Sequence, residues 1–200
     1  MIMVSMNSII SLYFTDIKDV KDQYALVIAC TYEHLKYLDL VPPTLKIIRK
    51  QNGKPDFDND NIHFNLSHSA DKWICAISQY IVGVDIEKKR QCRTDLIAKR
   101  FFHNNESQFL QEDDYHTFFD VWCAKESVVK CQGSGVFDDF NQFSVIDDHQ
   151  IITNFQGKSL YPLKIADQYA GYLCSQVPAT LRFLEISKEI FDHAALLVTK

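Results

Sequence analysis

The stretch from Trp73 to Glu87 constrains this chain more than any other. Trp73–Ser78 (WICAIS) is almost continuously apolar, as expected of a strand covered on both faces, and Ile81–Ile86 (IVGVDI) follows as a second strand after a short break. Strands buried in this way need layers on either side, so the rest of the chain has to supply helices or a second sheet. Upstream, Ile9–Phe14 reads as a first strand by β-propensity. Lys18–Leu38 reads as a helix closed by Pro42-Pro43, with Leu26, Ala29, Cys30, Leu35 and Leu38 at helical spacing. Leu45–Arg49 is a short strand, Asn52-Gly53 a turn, Asp56–Asn61 a polar loop and Phe64–Ser67 a short strand.

After Glu87 the character changes. Lys88, Lys89, Arg90, Arg93, Lys99 and Arg100 form a basic stretch, and helical patterns begin at Leu96–Phe102, at Asn104–Leu110 with Asn104 as N-cap, and at Tyr115–Cys131. Asp113 or Asp114 can cap the last of these, and Gly133 follows its end. Strand-like runs return at FSVI, QIITNF, PLKI and AGYLCSQV. Helix-then-strand order occurring twice predicts an α+β fold of two roughly equal halves, residues 1–88 and 89–200.

Composition limits function. A formal net charge of −5 argues against non-specific nucleic-acid binding, so any anion has to be held by a local basic cluster. None of the six cysteines is spaced CxxC, which argues against a zinc knuckle, and most sit in apolar runs as reduced thiols. The apolar N-terminus has no preceding Lys or Arg and no clear cleavage site, and no run approaches ~20 apolar residues. A cytoplasmic protein that enters no membrane is expected.

Three segments carry chemistry. In Gly83-Val84-Asp85-Ile86-Glu87, the two-residue period of a strand points both carboxylates to one side. Such a pair is either a solvated strand end or half of a site for a hard cation such as Mg²⁺. In Trp122-Cys123-Ala124-Lys125-Glu126-Ser127-Val128-Val129-Lys130, the helical period puts Trp122, Glu126 and Lys130 on one face. Glu126 is then either a surface partner of Lys130 or an acid at the edge of the core, with Lys125 and Lys130 beside it for an anionic ligand. In Phe64-Asn65-Leu66-Ser67-His68-Ser69, hydroxyls and an imidazole leave a strand. They form either a plain polar turn or a set of phosphate contacts. Adjacent residues of a strand point apart, which weighs against a Ser-His nucleophile.

In order and spacing, FNLSHS, GVDIE and WCAKESVVK resemble the three motifs of the 4′-phosphopantetheinyl transferases, of the type that activates surfactin synthetase. KRFFHNNESQFL and QGSGV fall where that family has similar segments, and the resemblance runs from Gly53 to about Val145. It implies two α+β subdomains related by pseudo-two-fold symmetry, with the site in the cleft between them. It implies Mg²⁺ on Asp85, Glu87 and Glu126, and coenzyme A as co-substrate held by Gly53 and Lys54 at the adenine, Ser67 and His68 at the phosphates, and Lys125 and Lys130 at the pyrophosphate. Glu126, Asp85, Lys130 and His68 would serve catalysis, with Glu126 as the base that frees a serine hydroxyl of an apo acyl or peptidyl carrier protein.

A carrier's acidic helix would dock on the basic stretch Lys88–Phe102, helped by Leu96 and Phe102. A monomer is expected. The leading segment departs from the family: KDQYALVIAC stands where an Arg-containing helix is usual. A non-catalytic homologue that only binds carrier or coenzyme A is the rival reading, and a Mg²⁺ phosphohydrolase a second.

Overall fold

The computed structural model describes residues 8–50, 53–134 and 140–198. Asn52 of the expected turn, and Gly135 and Val136 of QGSGV, lie outside these residues. In chain order the elements are β1 (Ser8–Asp16), α1 (Gln23–Tyr37), β2 (Ile47–Arg49), β3 (Pro55–Phe57), β4 (His63–Ser69), β5 (Lys72–Ser78) and β6 (Val82–Lys88). There follow α2 (Thr94–Phe101), α3 (Asn104–Glu112), α4 (Phe118–Gln132), β7 (Ile146–Asp147), β8 (Gln150–Ile151), β9 (Asn154–Phe155), β10 (Lys158–Pro162), β11 (Tyr169–Ser175), β12 (Ala179–Glu185) and α5 (Lys188–Val198).

Two four-stranded sheets organise the chain, ordered β12-β1-β5-β4 and β6-β11-β10-β9. β1 pairs parallel with β12 and antiparallel with β5, and β11 pairs antiparallel with β6 and β10. Residue alternation sorts the side chains into layers. Ile10, Leu12, Ile74 and Ala76 of the first sheet meet Val82, Val84, Ile86 and Leu173 of the second in one apolar cluster between the sheets. The outer face of the first sheet packs on α1 and α5 through Tyr13, Cys75, Ile77, Leu26, Cys30, Ile190 and Ala194. The outer face of the second packs on α4 through Ala170, Tyr172, Cys174, Val121, Ala124 and Val128.

Most expected elements form with corrected limits, but FSVI and PLKI contribute only Ile146 to β7 and Pro162 to β10, and β3, β12 and α5 arise where no element is expected. The side chain of Asp22 accepts from the backbone N–H of Tyr24 and Ala25, so α1 begins later than Lys18. The N-cap of α3 is His103 rather than Asn104, in a capping box closed by Glu106. Residues Asp114 and Tyr115 have positive φ, which a right-handed helix excludes, so α4 starts at Phe118. Asp113 instead accepts from the backbone and hydroxyl of Thr117, at 2.8 and 2.7 Å. Gly133 closes α4 in the left-handed conformation, as expected. β6 pairs with β11, and β12 returns to lie beside β1.

The two sheets meet at an edge as well as face to face. β6 is an edge strand, and its outward N–H groups would go unpaired between β4 and the core. Side chains of β4 complete them. Asn65 Oδ1 accepts from Val84 N at 2.8 Å, Ser67 Oγ from Ile86 N at 3.4 Å and Ser69 Oγ from Lys88 N at 3.1 Å. Outward carbonyls are met by lysines: Lys54 Nζ donates to Val82 O at 3.2 Å, and Lys130 Nζ to Val84 O at 3.2 Å. A polar comb with the period of one strand thus reads the edge of another.

Gly83 sets the height of α4 over this edge. A Cβ there would lie 2.2 Å from Ser127 O and 2.3 Å from Cys131 N, both backbone atoms of the helix that cannot rotate aside. Gly83→Ala is therefore expected to lower stability by about 1–3 kcal/mol. The check is the midpoint of urea unfolding, which should fall without a change of slope.

Candidate functional site

The close approach at Gly83 places Glu126 and Lys130, on either side of Ser127, above the next outward residue of β6, Asp85. The Lys130 ammonium donates to Asp85 Oδ1 at 2.7 Å and to Ser67 Oγ at 3.3 Å. Ser67 donates its own proton to Asp85 Oδ1 at 2.9 Å, and Ser69 donates to Glu87 Oε2 at 2.7 Å. Each hydroxyl therefore works twice, accepting from the β6 backbone and donating to a β6 carboxylate, as a single Oγ–H can. Arg90 also donates to Glu87 Oε2, at 3.0 Å.

The electrostatics are those of acids held out of water. Asp85 is 5% exposed, and burial pushes its carboxyl above the ordinary range against the pull of Lys130. Glu126 is 6% exposed and receives no hydrogen bond among the described residues; burial first, then the charges of Asp85 and Glu87, push it up to about 7. Asp85 Oδ2 is buried without a hydrogen-bond partner. An orphaned buried carboxylate oxygen and an unpartnered neighbouring carboxyl are what a hard cation would complete, so the donor set fits a divalent ion taking oxygen ligands. The three acids do not close on one point, however. Asp85 Oδ1 is turned to Lys130 and Glu87 to Ser69 and Arg90, and among the described residues no assembled group of three or more potential ligands is found.

Lys125 is not part of this site. It lies on another face of α4, wholly buried, and pairs with Glu106 Oε2 at 2.8 Å. It also donates to Phe143 O at 2.6 Å and stands 4.0 Å from the centroid of the Phe143 ring. Glu106, which the motifs do not single out, accepts in addition from Val145 N at 2.8 Å and His103 N at 3.1 Å. The pair ties α3, α4 and the chain before β7 together. The sequence carried the signal for it, since a Glu at the third position of α3 is where a capping box places one.

His68 is exposed and, by strand alternation, lies on the opposite face of β4 from Ser67 and Ser69. Lys54 is drawn inward, donating to Lys130 O at 2.8 Å as well as to β6, and burial lowers its pKa. Gly53 takes a left-handed φ of 80° in the turn leading to β3, where Arg49 donates to its carbonyl at 3.0 Å. Asn65 and Ser69 belong to the site through the comb, and the alternation in FNLSHS could have named them. Phe102, expected on a docking surface, is buried against Phe118 and Trp122, whereas Leu96 is 45% exposed.

Compared with known proteins, residues 81–177 match the model of the 4′-phosphopantetheinyl transferase superfamily. The chain is 37% identical over 142 residues to the 4′-phosphopantetheinyl transferase gsp of Aneurinibacillus migulanus, covering 66% of this chain and 59% of that protein. It is 38% identical over 108 residues to the 4′-phosphopantetheinyl transferase Sfp of Bacillus subtilis, covering 50% and 47%. With a 4′-phosphopantetheinyl transferase of Bacillus pumilus it shares 33% identity over 152 residues, 68% of this chain and 62% of the relative. The chain thus spans less than two thirds of the length of these relatives.

The buried Lys125–Glu106 pair gives a pH-dependent expectation. Lys125→Met leaves Glu106 without its counter-charge and should cost about 3–5 kcal/mol near pH 7. Burial already raises the Glu106 carboxyl, and removing the lysine raises it further. The folded variant then binds a proton that the unfolded chain releases, so its deficit grows as pH rises above the ordinary carboxylate range and shrinks toward pH 4. Urea unfolding of both proteins from pH 4 to 8 checks this.

Proposed function

We propose that this protein, whose residues 81–177 belong to the 4′-phosphopantetheinyl transferase superfamily, moves 4′-phosphopantetheine from coenzyme A to a serine of an apo carrier protein. The observation that carries the reading is the meeting of Glu126 and Lys130 from α4 with Asp85 from β6, across a seam of hydroxyls. In the step proposed, the serine Oγ attacks the phosphorus that bears pantetheine. A new O–P bond forms, the anhydride P–O bond breaks, and 3′,5′-ADP leaves with the electron pair. Glu126 accepts the serine proton on a carboxylate oxygen. Lys130, 25% exposed at its side chain, supplies positive charge where the leaving group gains negative charge.

Asp85, Glu87 and Glu126 would hold Mg²⁺, which when bound offsets charge on the pyrophosphate. Ser67, Lys54 and Gly53 line the proposed coenzyme A path, with His68 reaching a phosphate from the outer side of β4. Lys125 has no direct part; its burial makes it a support for α4. The strand orders β1-β5-β4 and β6-β11-β10 correspond, each with its helices following the first strand, and this supports two halves related by an approximate two-fold axis. We take the working protein to be a cytoplasmic monomer. Among the described residues no helix is long and apolar enough to cross a membrane.

Incubation with coenzyme A, Mg²⁺ and an apo-carrier, followed by weighing of the carrier, tests the reading. A gain of one phosphopantetheine group is expected, and Glu126→Gln should lower kcat about 10²–10⁴-fold. Under the rival reading of a binding homologue, the carrier would bind and keep its mass. 3′,5′-ADP without a heavier carrier would mean hydrolysis.

The carrier is proposed to dock on α2, where Arg93, Leu96, Lys99 and Arg100 are exposed. Charge reversal at Arg93 and Lys99 together should raise the KM for the carrier about tenfold and leave that for coenzyme A unchanged. An unchanged carrier KM removes α2 from the interface.

A further inference from the structure

Cys131, in the last turn of α4, and Cys174, in β11, share one small region of the fold. In the β6–β11 ladder Cys174 stands opposite Gly83, and the backbone N of Cys131 lies where a Gly83 side chain would be. Both belong to the apolar cluster under α4. Cys131 Sγ donates to Ile81 O at 3.6 Å. The remaining described cysteine environments differ. Cys30, Cys75 and Cys123 are fully buried, and Cys92 is exposed.

Cys131 lines two surface cavities, one of about 590 Å³ bordered by Lys54 and Tyr80 and one of about 470 Å³ bordered by Gln156 and Lys158. Water and molecules of its size therefore reach the edge of the pair while Cys174 stays beneath. The neighbouring Cys174 thiol, with Lys54 and Lys158 assisting, holds the Cys131 thiol below its ordinary range. Cys131 at the cavity edge and Cys174 sealed beneath it suit an attacking thiol above and a resolving thiol below.

We propose that Cys131 and Cys174 form a redox-modified pair, in which a peroxide oxidises Cys131 and Cys174 closes a disulfide between α4 and β11. The Cys131 thiolate attacks one oxygen of hydrogen peroxide; an S–O bond forms, the O–O bond breaks, and water leaves. The Cys174 sulfur then attacks the sulfenic sulfur, an S–S bond forms, and the sulfenic oxygen leaves as a second water. Two thiols are oxidised by two electrons and one peroxide is reduced, so the step balances. The bond would pin the turn of α4 that carries Lys130 and accepts Lys54 at Lys130 O.

The test uses hydrogen peroxide on the Cys92→Ser protein, which lacks the exposed thiol able to link two molecules. After treatment the protein is unfolded in alkylating reagent, digested and weighed. The expected result is a cross-linked peptide pair holding Cys131 and Cys174, lost on adding dithiothreitol, with Cys30, Cys75 and Cys123 fully alkylated. In Cys92→Ser/Cys174→Ser, a dimedone adduct on Cys131 is expected in place of the cross-link. Full alkylation of both Cys131 and Cys174 after peroxide, or oxidation that falls on Cys30, Cys75 or Cys123 instead, overturns the proposal. These readouts use mass alone and are independent of any transferase activity.

Discussion

The whole arrangement depends on how β6 disposes of its free edge. A strand with one unpaired side, pressed between a second sheet and a helix, has backbone groups that water cannot serve, and each left unpaired costs as much as a lost hydrogen bond. Here Asn65, Ser67 and Ser69 meet the N–H groups of Val84, Ile86 and Lys88, while Lys54 and Lys130 meet carbonyls of the same edge. The residues that satisfy the edge also order the carboxylates beside it. Structure and chemistry are served by the same hydroxyls, and a change in one disturbs the other.

Gly83 couples this seam to α4. Because no Cβ stands between helix and strand, the Ser127 carbonyl rests on β6, and Glu126 and Lys130 come down on Asp85. Burial then does the electrostatic work: Glu126 rises to about 7, and Asp85 rises despite an ammonium 2.7 Å away. Such acids are costly to hold in an ion-free protein. A bound cation would lower that cost, so its affinity and the stability of the fold would be linked.

The two lysines of WCAKESVVK show how far sequence reasoning reached. Both look alike as cations flanking Glu126, yet Lys130 joins Asp85 and Lys125 is sealed against Glu106 and three phenylalanines. A helical period tells which residues share a face but not which face meets the site when core covers most of the helix, as it does for α4. Likewise the alternation in FNLSHS separates Ser67 from His68, but only the position of β6 shows that Asn65, Ser67 and Ser69 are reading a backbone.

Short-range periodicity and local chemistry suffice for the buried strands β5 and β6, the helices α1 and α4, the closing Gly133, and the pairing of Asp85 with Glu87 on one side of a strand. Tertiary structure alone decided the rest. The return of β12 to β1, the edge-to-edge joint of two sheets, and the burial of the Lys125–Glu106 pair each join residues far apart in the chain. Their partners are chosen by which backbone groups and charges lose water when the layers close, and no local pattern records that loss.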